Sequence, residues 1–308
     1  MAHDRIVVGI DGSPAAREAL RWSARLASRL KGEVVVVHAL GLLEPLHGEL
    51  VPAHRHLAEI EEVMEQEWCA PLARGGVPYR AVVRQGHPVD VLAAAAVEES
   101  ALLLVVGSRG TGDTPALVLG STSLTLLRQT PVPVLVVPDR EQARRHFGLH
   151  RIVVALDGSP EGMAAVDAAV HLAEGFGSHI ELVRAVEELP VFPLGPAARV
   201  TGEGEWEAPQ RARRQAEPFC AAVRRHHLPV HLAVQRGTAD EVVRSVAARV
   251  DADLVVTASR HTDRPAEDLL DSVSRRIVRV AHRPTLVVPL PARPSAPATA
   301  PTAATAPA

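Results

Sequence analysis

Short runs of valine, isoleucine and leucine alternate along this chain with stretches whose apolar residues recur at helical spacing. In the first half the runs are Arg5–Ile10, Glu33–Ala39, Tyr79–Arg84, Ala101–Val106 and Val132–Val137. They are almost continuously apolar, the pattern of strands buried on both faces. Between them, Ser13–Leu30, roughly Ala53–Ala73, Pro88–Glu99 and Gly120–Gln129 read as helices. The first places Ala16, Ala19, Leu20, Ser23, Ala24, Ala27 and Leu30 on one face. Ser13 suits its N-cap and Pro14 its first turn, while Pro71 is expected to end or kink the second helix. Strand–helix alternation of this kind predicts a parallel sheet covered on both faces.

The pattern occurs twice. Arg5–Pro14 reads RIVVGIDGSP and Arg151–Pro160 reads RIVVALDGSP, a match at eight of ten positions with an offset of 146 (151 − 5). Val34–His38 stands against Ile180–Arg184 at that offset. Trp68-Cys69, Gln85-Gly86 and Pro133 stand against Phe219-Cys220, Arg236-Gly237 and Pro284 at an offset of 151. About five residues are therefore inserted between Val186 and Phe219 of a duplicated domain. The length of 308 residues agrees, at roughly 150 residues per domain. The expected division is a domain over 1–139, a charged linker over 140–150, a second domain over 151–290, and a disordered Pro/Ala/Thr tail over 291–308. Pro190–Pro209, rich in Pro, Gly and Glu, reads as a long loop.

Composition excludes several chemistries. Lys+Arg is 33 against Asp+Glu 36, with no polybasic segment, so neither nucleic acid nor an anionic membrane surface is an expected partner. Lys31 is the only lysine, so there is no Gly-Lys-Ser/Thr phosphate loop. Two cysteines cannot build a disulfide scaffold or a cysteine-rich zinc site. No secretory leader pattern opens the sequence and no apolar run of spanning length occurs, so a cytoplasmic location is expected.

The candidate chemistry lies in Val106–Leu124, VGSRGTGDTPALVLGSTSL, with Gly107, Gly110, Gly120 and Ser121 spaced as G-x2-G-x9-G-S. Gly107 ends a strand and Gly120-Ser121 opens a helix. Glycines let backbone N–H groups approach a ligand, and a helix N-terminus favours phosphate. Ser121 and Ser123 add hydroxyls, and Arg109 a full positive charge. Spacing alone leaves open a plain strand-to-helix connection.

That spacing, the first strand ending in Asp-Gly-Ser, and the closing strand Pro-Val-Leu-Val-Val-Pro together resemble the universal stress protein family. The resemblance covers roughly 4–139 and 150–290, as a tandem arrangement. It implies two open five-stranded parallel sheets of order 3-2-1-4-5 with helices on both faces, and ATP, with or without Mg2+, at the switch point between strands 1 and 4. That is also where open α/β sheets generally bind ligands. By position, Gly107, Arg109, Gly110, Gly120, Ser121, Thr122 and Ser123 would surround phosphates and ribose. Ile10, Asp11 and Ala39 would lie around adenine and ribose, although Asp11 also suits a cap for the following turn. The resemblance implies an ATP-binding, nucleotide-dependent stress-response regulator or sensor. The rival readings are a slow Mg-dependent ATP hydrolase or phosphotransferase and a scaffold with a vestigial site. No general base is evident; Asp113 is the nearest carboxylate.

The second half departs from the motif. Gly107 is replaced by Ala258, Gly110 by His261 and Gly120 by Asp271, while Ser272, Asp157 and Arg260 are kept. A carboxylate about 4 Å from phosphate costs about 4 kcal/mol at an effective dielectric near 20, roughly three decades of affinity. The second domain is therefore expected to be degenerate toward ATP, with Asp271 capping the last helix. The histidines near positions 47–56 and 226–231 lack metal-ligand spacing, and Cys69 and Cys220 read as core. The closing strands, Val132–Val137 and Thr285–Val288, would be sheet edges. One half is expected to cover the other's edge as an intramolecular pseudo-dimer, with a further homodimer left open.

Overall fold

The computed structural model describes residues 4–41, 43–46, 49–110, 119–139, 148–187, 203–260 and 273–290. In the first half, β1 (Arg5–Gly9), β2 (Glu33–Leu40), β5 (Tyr79–Gln85), β6 (Leu103–Gly107) and β7 (Val134–Val137) form the sheet. Its helices are α1 (Pro14–Leu30), α2 (Leu57–Val63), α3 (Ala70–Arg74), α4 (Pro88–Glu98) and α5 (Ser121–Gln129). A short hairpin, β3 (Leu43–Leu46) with β4 (Glu49–Pro52), leaves β2 and was not anticipated from the sequence. The second half repeats the plan with β8 (Arg151–Leu156), α6 (Met163–Phe176), β9 (His179–Val186), α7 (Glu203–Arg225), β10 (Val230–Arg236), α8 (Ala239–Arg249), β11 (Leu254–Arg260), α9 (Val273–Val280) and β12 (Thr285–Leu290).

The strands form one ten-stranded sheet in the order β10-β9-β8-β11-β12-β7-β6-β1-β2-β5. Each half contributes its five strands in parallel, in the expected order 3-2-1-4-5. The two closing strands pair antiparallel: Leu135 faces Leu286, and Val134 and Val136 face Val287 and Thr285. At the offset of 151, Leu286 is the repeat copy of Leu135, so the local two-fold passes through that pair. The apolar edges thus cover each other, and the halves share a pseudo-dimeric sheet.

Three large apolar clusters cover the sheet, and a small fourth, Leu40, Ala53 and Ile60, packs α2 against the end of β2. On one face α1, the α2–α3 segment, α6 and α7 join into a single core that runs across both halves. On the other, α4 and α5 pack over the first half, and α8 and α9 over the second. Across the seam Arg29 lies 5.7 Å from the Phe176 ring centre, and His171 Nε2 is 3.2 Å from Asp4 Oδ2. Among the described residues no helix is long and apolar enough to cross a membrane.

Local chemistry sets the element ends. Ser13 caps α1 by accepting from Ala16 N–H at 3.1 Å, with Pro14 opening the helix. Pro71 does not end the second helix outright. Between α2 and α3, Met64–Trp68 widens into a π turn, with Cys69 N–H donating to Met64 O at 2.9 Å. The widened turn accommodates a chain about to enter Pro71, which brings no N–H of its own. In the second half the expected loop over Pro190–Pro209 is corrected at its end, because α7 begins at Glu203 and carries Pro209 and Pro218 within it; residues 188–202 lie outside the described residues. The linker 140–147 and the tail 291–308 lie outside the described residues.

Candidate nucleotide site

At the carboxyl ends of β1 and β6 the sheet order reverses, and the glycine loop starts there. Ser108 N–H donates to Val137 O at 2.7 Å, and Gly120 N–H returns to donate to Ser108 O at 2.8 Å. The two described ends of the loop therefore meet at one point, directly before α5. Space there is tight: a Cβ on Gly120 would stand 3.4 Å from both Arg109 Cα and Ser108 O. A Cβ on Gly110 would stand 2.7 Å from Asp11 Oδ2, so Gly110 passes against the end of β1.

Gly107 serves packing. A Cβ there would lie 2.8 Å from the backbone carbon and the Cβ of Ala15 and 2.9 Å from Ala16 N. Bare backbone at Gly107 lets the first turn of α1 rest on the end of β6. Ser13 then bridges, its hydroxyl accepting from Ala16 N–H and lying 3.4 Å from Arg109 O. Asp11 closes the turn between β1 and α1, with Oδ1 accepting from Ser13 N–H at 3.0 Å. Gly12 completes it at φ +77°, where a side chain would be strained and would meet Trp68 Cζ2 at 3.0 Å.

The structure brings most of the predicted residues together and refines their roles. Ile10 is buried; its carbonyl accepts from His38 Nδ1 at 2.7 Å. Ala39 lies on β2, opposite Arg84 of β5. Gly120 is the N-cap of α5, and no side chain caps this nine-residue helix. Ser121 and Thr122 form its first turn, so their amides face the loop mouth with the positive end of the helix dipole. Ser123 differs from expectation: it is buried and donates its hydroxyl to Gly107 O at 2.7 Å, which ties α5 to β6 and takes that proton from any phosphate. Arg109 also differs, since its guanidinium is paired with the Asp139 carboxylate. Asp113, His261, Asp271 and Ser272 lie outside the described residues.

Sequence reasoning missed three neighbours. Asp139 balances Arg109. His38 and Trp68 meet edge to face, ring centres 5.3 Å apart, and wall the side of the site beside Gly12. The valine run around His38 hid its position at a strand end, and Trp68 entered only as a repeat match beside Cys69. Among the described residues no group of three His, Cys, Asp or Glu side chains could hold a metal ion.

The second half is built differently at the same place. Ala258 carries the methyl that Gly107 lacks. In register with this, a 3-10 turn, Pro160–Gly162, precedes α6, where α1 begins directly at Pro14. Ser159 no longer caps the helix; its hydroxyl and N–H both donate to Asp157 Oδ1, at 2.6 and 2.8 Å.

Comparison with known proteins agrees with this architecture. The family model described as "Universal stress protein family" matches residues 2–138 and 148–289. "Universal stress protein Rv2623" of Mycobacterium tuberculosis is 29% identical over 303 residues, covering 92% of this chain and 95% of the relative. A universal stress protein of Thermus aquaticus is 34% identical over 138 residues, 43% of this chain and 96% of its own length. The crystal structure of a universal stress protein from Archaeoglobus fulgidus superposes with a TM-score of 0.69 at 19% identity, covering 92% of this chain and 97% of that one.

Proposed function

The chain belongs to the universal stress protein family, carrying two tandem copies of its domain, and from that premise we propose that the first copy binds ATP and works as a nucleotide-dependent stress-response regulator. The observation that carries this reading is the uncapped start of α5 at the end of a glycine loop, beside the reversal of strand order. The residues present fit a phosphate chain. Gly110 and Gly120 keep side chains out of a tight loop, and the Ser121 and Thr122 amides supply donors at a positive helix end. Ile10, Asp11, Ala39, His38 and Trp68 would flank the base and ribose. Asp11 keeps Oδ2 toward Gly110 while Oδ1 holds the turn.

Any Mg2+ would be carried by the nucleotide's own phosphates, which it neutralises on binding. Arg109 would contribute less charge than a bare arginine, because Asp139 already pairs with it. We read the site as a sensor in preference to a fast hydrolase. Among the described residues, Asp11, the carboxylate against Gly110, is engaged by Ser13 N–H, and Arg109 is engaged by Asp139; neither is poised to drive turnover. The second copy keeps the fold and lacks the close packing of strand end on helix that Gly107 allows.

Calorimetric titration of the full chain with ATP and Mg2+, beside Gly120→Asp, tests the proposal. A carboxylate about 4 Å from phosphate costs about 4 kcal/mol, so the variant should lose roughly three decades of affinity. Equal affinity in both proteins would reject the loop as the site. A single-turnover assay with excess protein separates sensor from enzyme: ATP recovered intact from the complex supports the sensor.

A further inference from the structure

We propose that the second half holds a site of its own, for a small carboxylate with an apolar body. A cavity of about 710 Å3 opens at the carboxyl ends of β8, β9 and β11, large enough for one small organic molecule. The inference goes beyond the nucleotide reading of the first half and does not rest on it.

Arg184 carries the argument. It lines the cavity at the position where the first half has His38. His38 is held by the Ile10 carbonyl at 2.7 Å; Arg184 reaches the equivalent carbonyl, Leu156 O, only loosely. Its Nε is buried without a hydrogen-bond partner, and its one hydrogen bond runs from Nη1 to Leu156 O at 3.4 Å, at the limit of the interaction. No carboxylate among the described residues pairs with it. The neighbouring Asp157 is spent on the Ser159 N–H and hydroxyl. Gly158, at φ +77°, makes room for this guanidinium: a Cβ there would stand 3.1–3.3 Å from its atoms. A half-buried cation without a counter-charge is costly, and an anion entering the cavity would supply both the charge and the missing acceptor.

The rest of the wall defines the ligand further. Val183, Ala185 and Val243 give it an apolar side. Ser259 and Ser274, 3.1 Å apart through their hydroxyls, give it a polar one. One unbalanced guanidinium suits a monoanionic head group, which arginine binds through two parallel hydrogen bonds. Arg211 also stands on the rim, exposed and offset by Glu207 at 3.9 Å, and Asp157 and Glu187 share that rim, so the positive charge falls short of what a triphosphate needs.

The test is calorimetry on the full chain with octanoate, below its micelle-forming concentration, and with octanamide as the uncharged match. Octanoate should bind saturably, at about one per chain, and more tightly than octanamide. Arg184→Met should weaken octanoate roughly tenfold or more, the worth of a hydrogen bond to a charged group, and leave octanamide unchanged. Arg184→Lys should recover part of the loss. Saturating ATP should not displace octanoate. Absence of saturable octanoate binding, octanamide binding as tightly as octanoate, or displacement by ATP would each overturn the proposal. The two wild-type ligand comparisons stand even if a variant fails to fold.

Discussion

Replacing Gly107 by alanine puts one methyl group where β6 meets α1. In the folded chain that carbon would lie 2.8–2.9 Å from Ala15 and Ala16 atoms, two of them backbone. Backbone cannot swing aside as a flexible side chain can. Either the methyl is compressed, or the first turn of α1 moves away and strains the Ser13 cap, now 3.1 Å from Ala16 N. Overpacking of this kind costs about 1–3 kcal/mol, and a lost N-cap costs about 1 kcal/mol; relief of one brings on the other. The second half illustrates the second route: Ala258 stands at this position, a 3-10 turn replaces the helix start, and Ser159 caps nothing. Gly107→Ala should therefore lower the thermal midpoint of the first half by roughly 2–4 °C for each kcal/mol, followed by circular dichroism. The reverse change, Ala258→Gly, should cost only about 0.5–1 kcal/mol of strand propensity. A Gly107→Ala protein with an unchanged midpoint would refute the packing argument.

Other outcomes follow from the same geometry. Tyr79 is the only tyrosine, and its hydroxyl donates to Glu65 Oε1 at 2.6 Å, a bond that pushes its pKa up from 10.0 to about 12. Tyrosinate absorbance should rise near pH 12 in the folded protein; because the folded value is the raised one, the associated stability is present below pH 10 and lost on climbing toward 12. A midpoint at the ordinary value would contradict the bond, and Glu65→Gln should lower the midpoint. Burial, then the Glu65 charge, pushes Cys69 up to about 12, so a thiol reagent at neutral pH should label it only after unfolding; prompt labelling of the native chain would contradict its burial. Leu135→Asp puts a carboxylate into the strand pair at the two-fold centre, where Leu135 is 1% exposed, and should cost several kcal/mol; scattering from the variant should show the halves separated or unfolded, and an unchanged profile would count against the shared sheet.

Much of the fold was legible because its signals are local or repeated. Continuous valine runs announced buried parallel strands, Ser13-Pro14 announced a helix start, and two apolar closing strands announced edges that had to be covered. The π turn at Met64–Trp68 was not legible, since it answers a backbone geometry set by Pro71 and by packing. The β3–β4 hairpin lacks the period-2 apolar pattern and the Asn-Gly or Asp-Gly turn that mark such units. At the site, glycine positions were readable but their partners were not. Gly107 looked like a ligand residue, and its nearest neighbour is α1. Ser123 looked like a phosphate donor, and its proton is spent on Gly107 O. Arg109 looked like a free charge, and Asp139, 30 residues away, balances it. In each case the deciding contact is between elements distant in sequence.

Photo-crosslinking with azido-ATP, followed by peptide mapping of the full chain, asks which half holds the nucleotide. The proposed site requires label on peptides bearing the end of β1, the end of β2 or the Gly107–Ser121 region, with protection by excess ATP. Protectable label on the second half, around Asp157 or Ala258, would contradict the division of labour between the two copies.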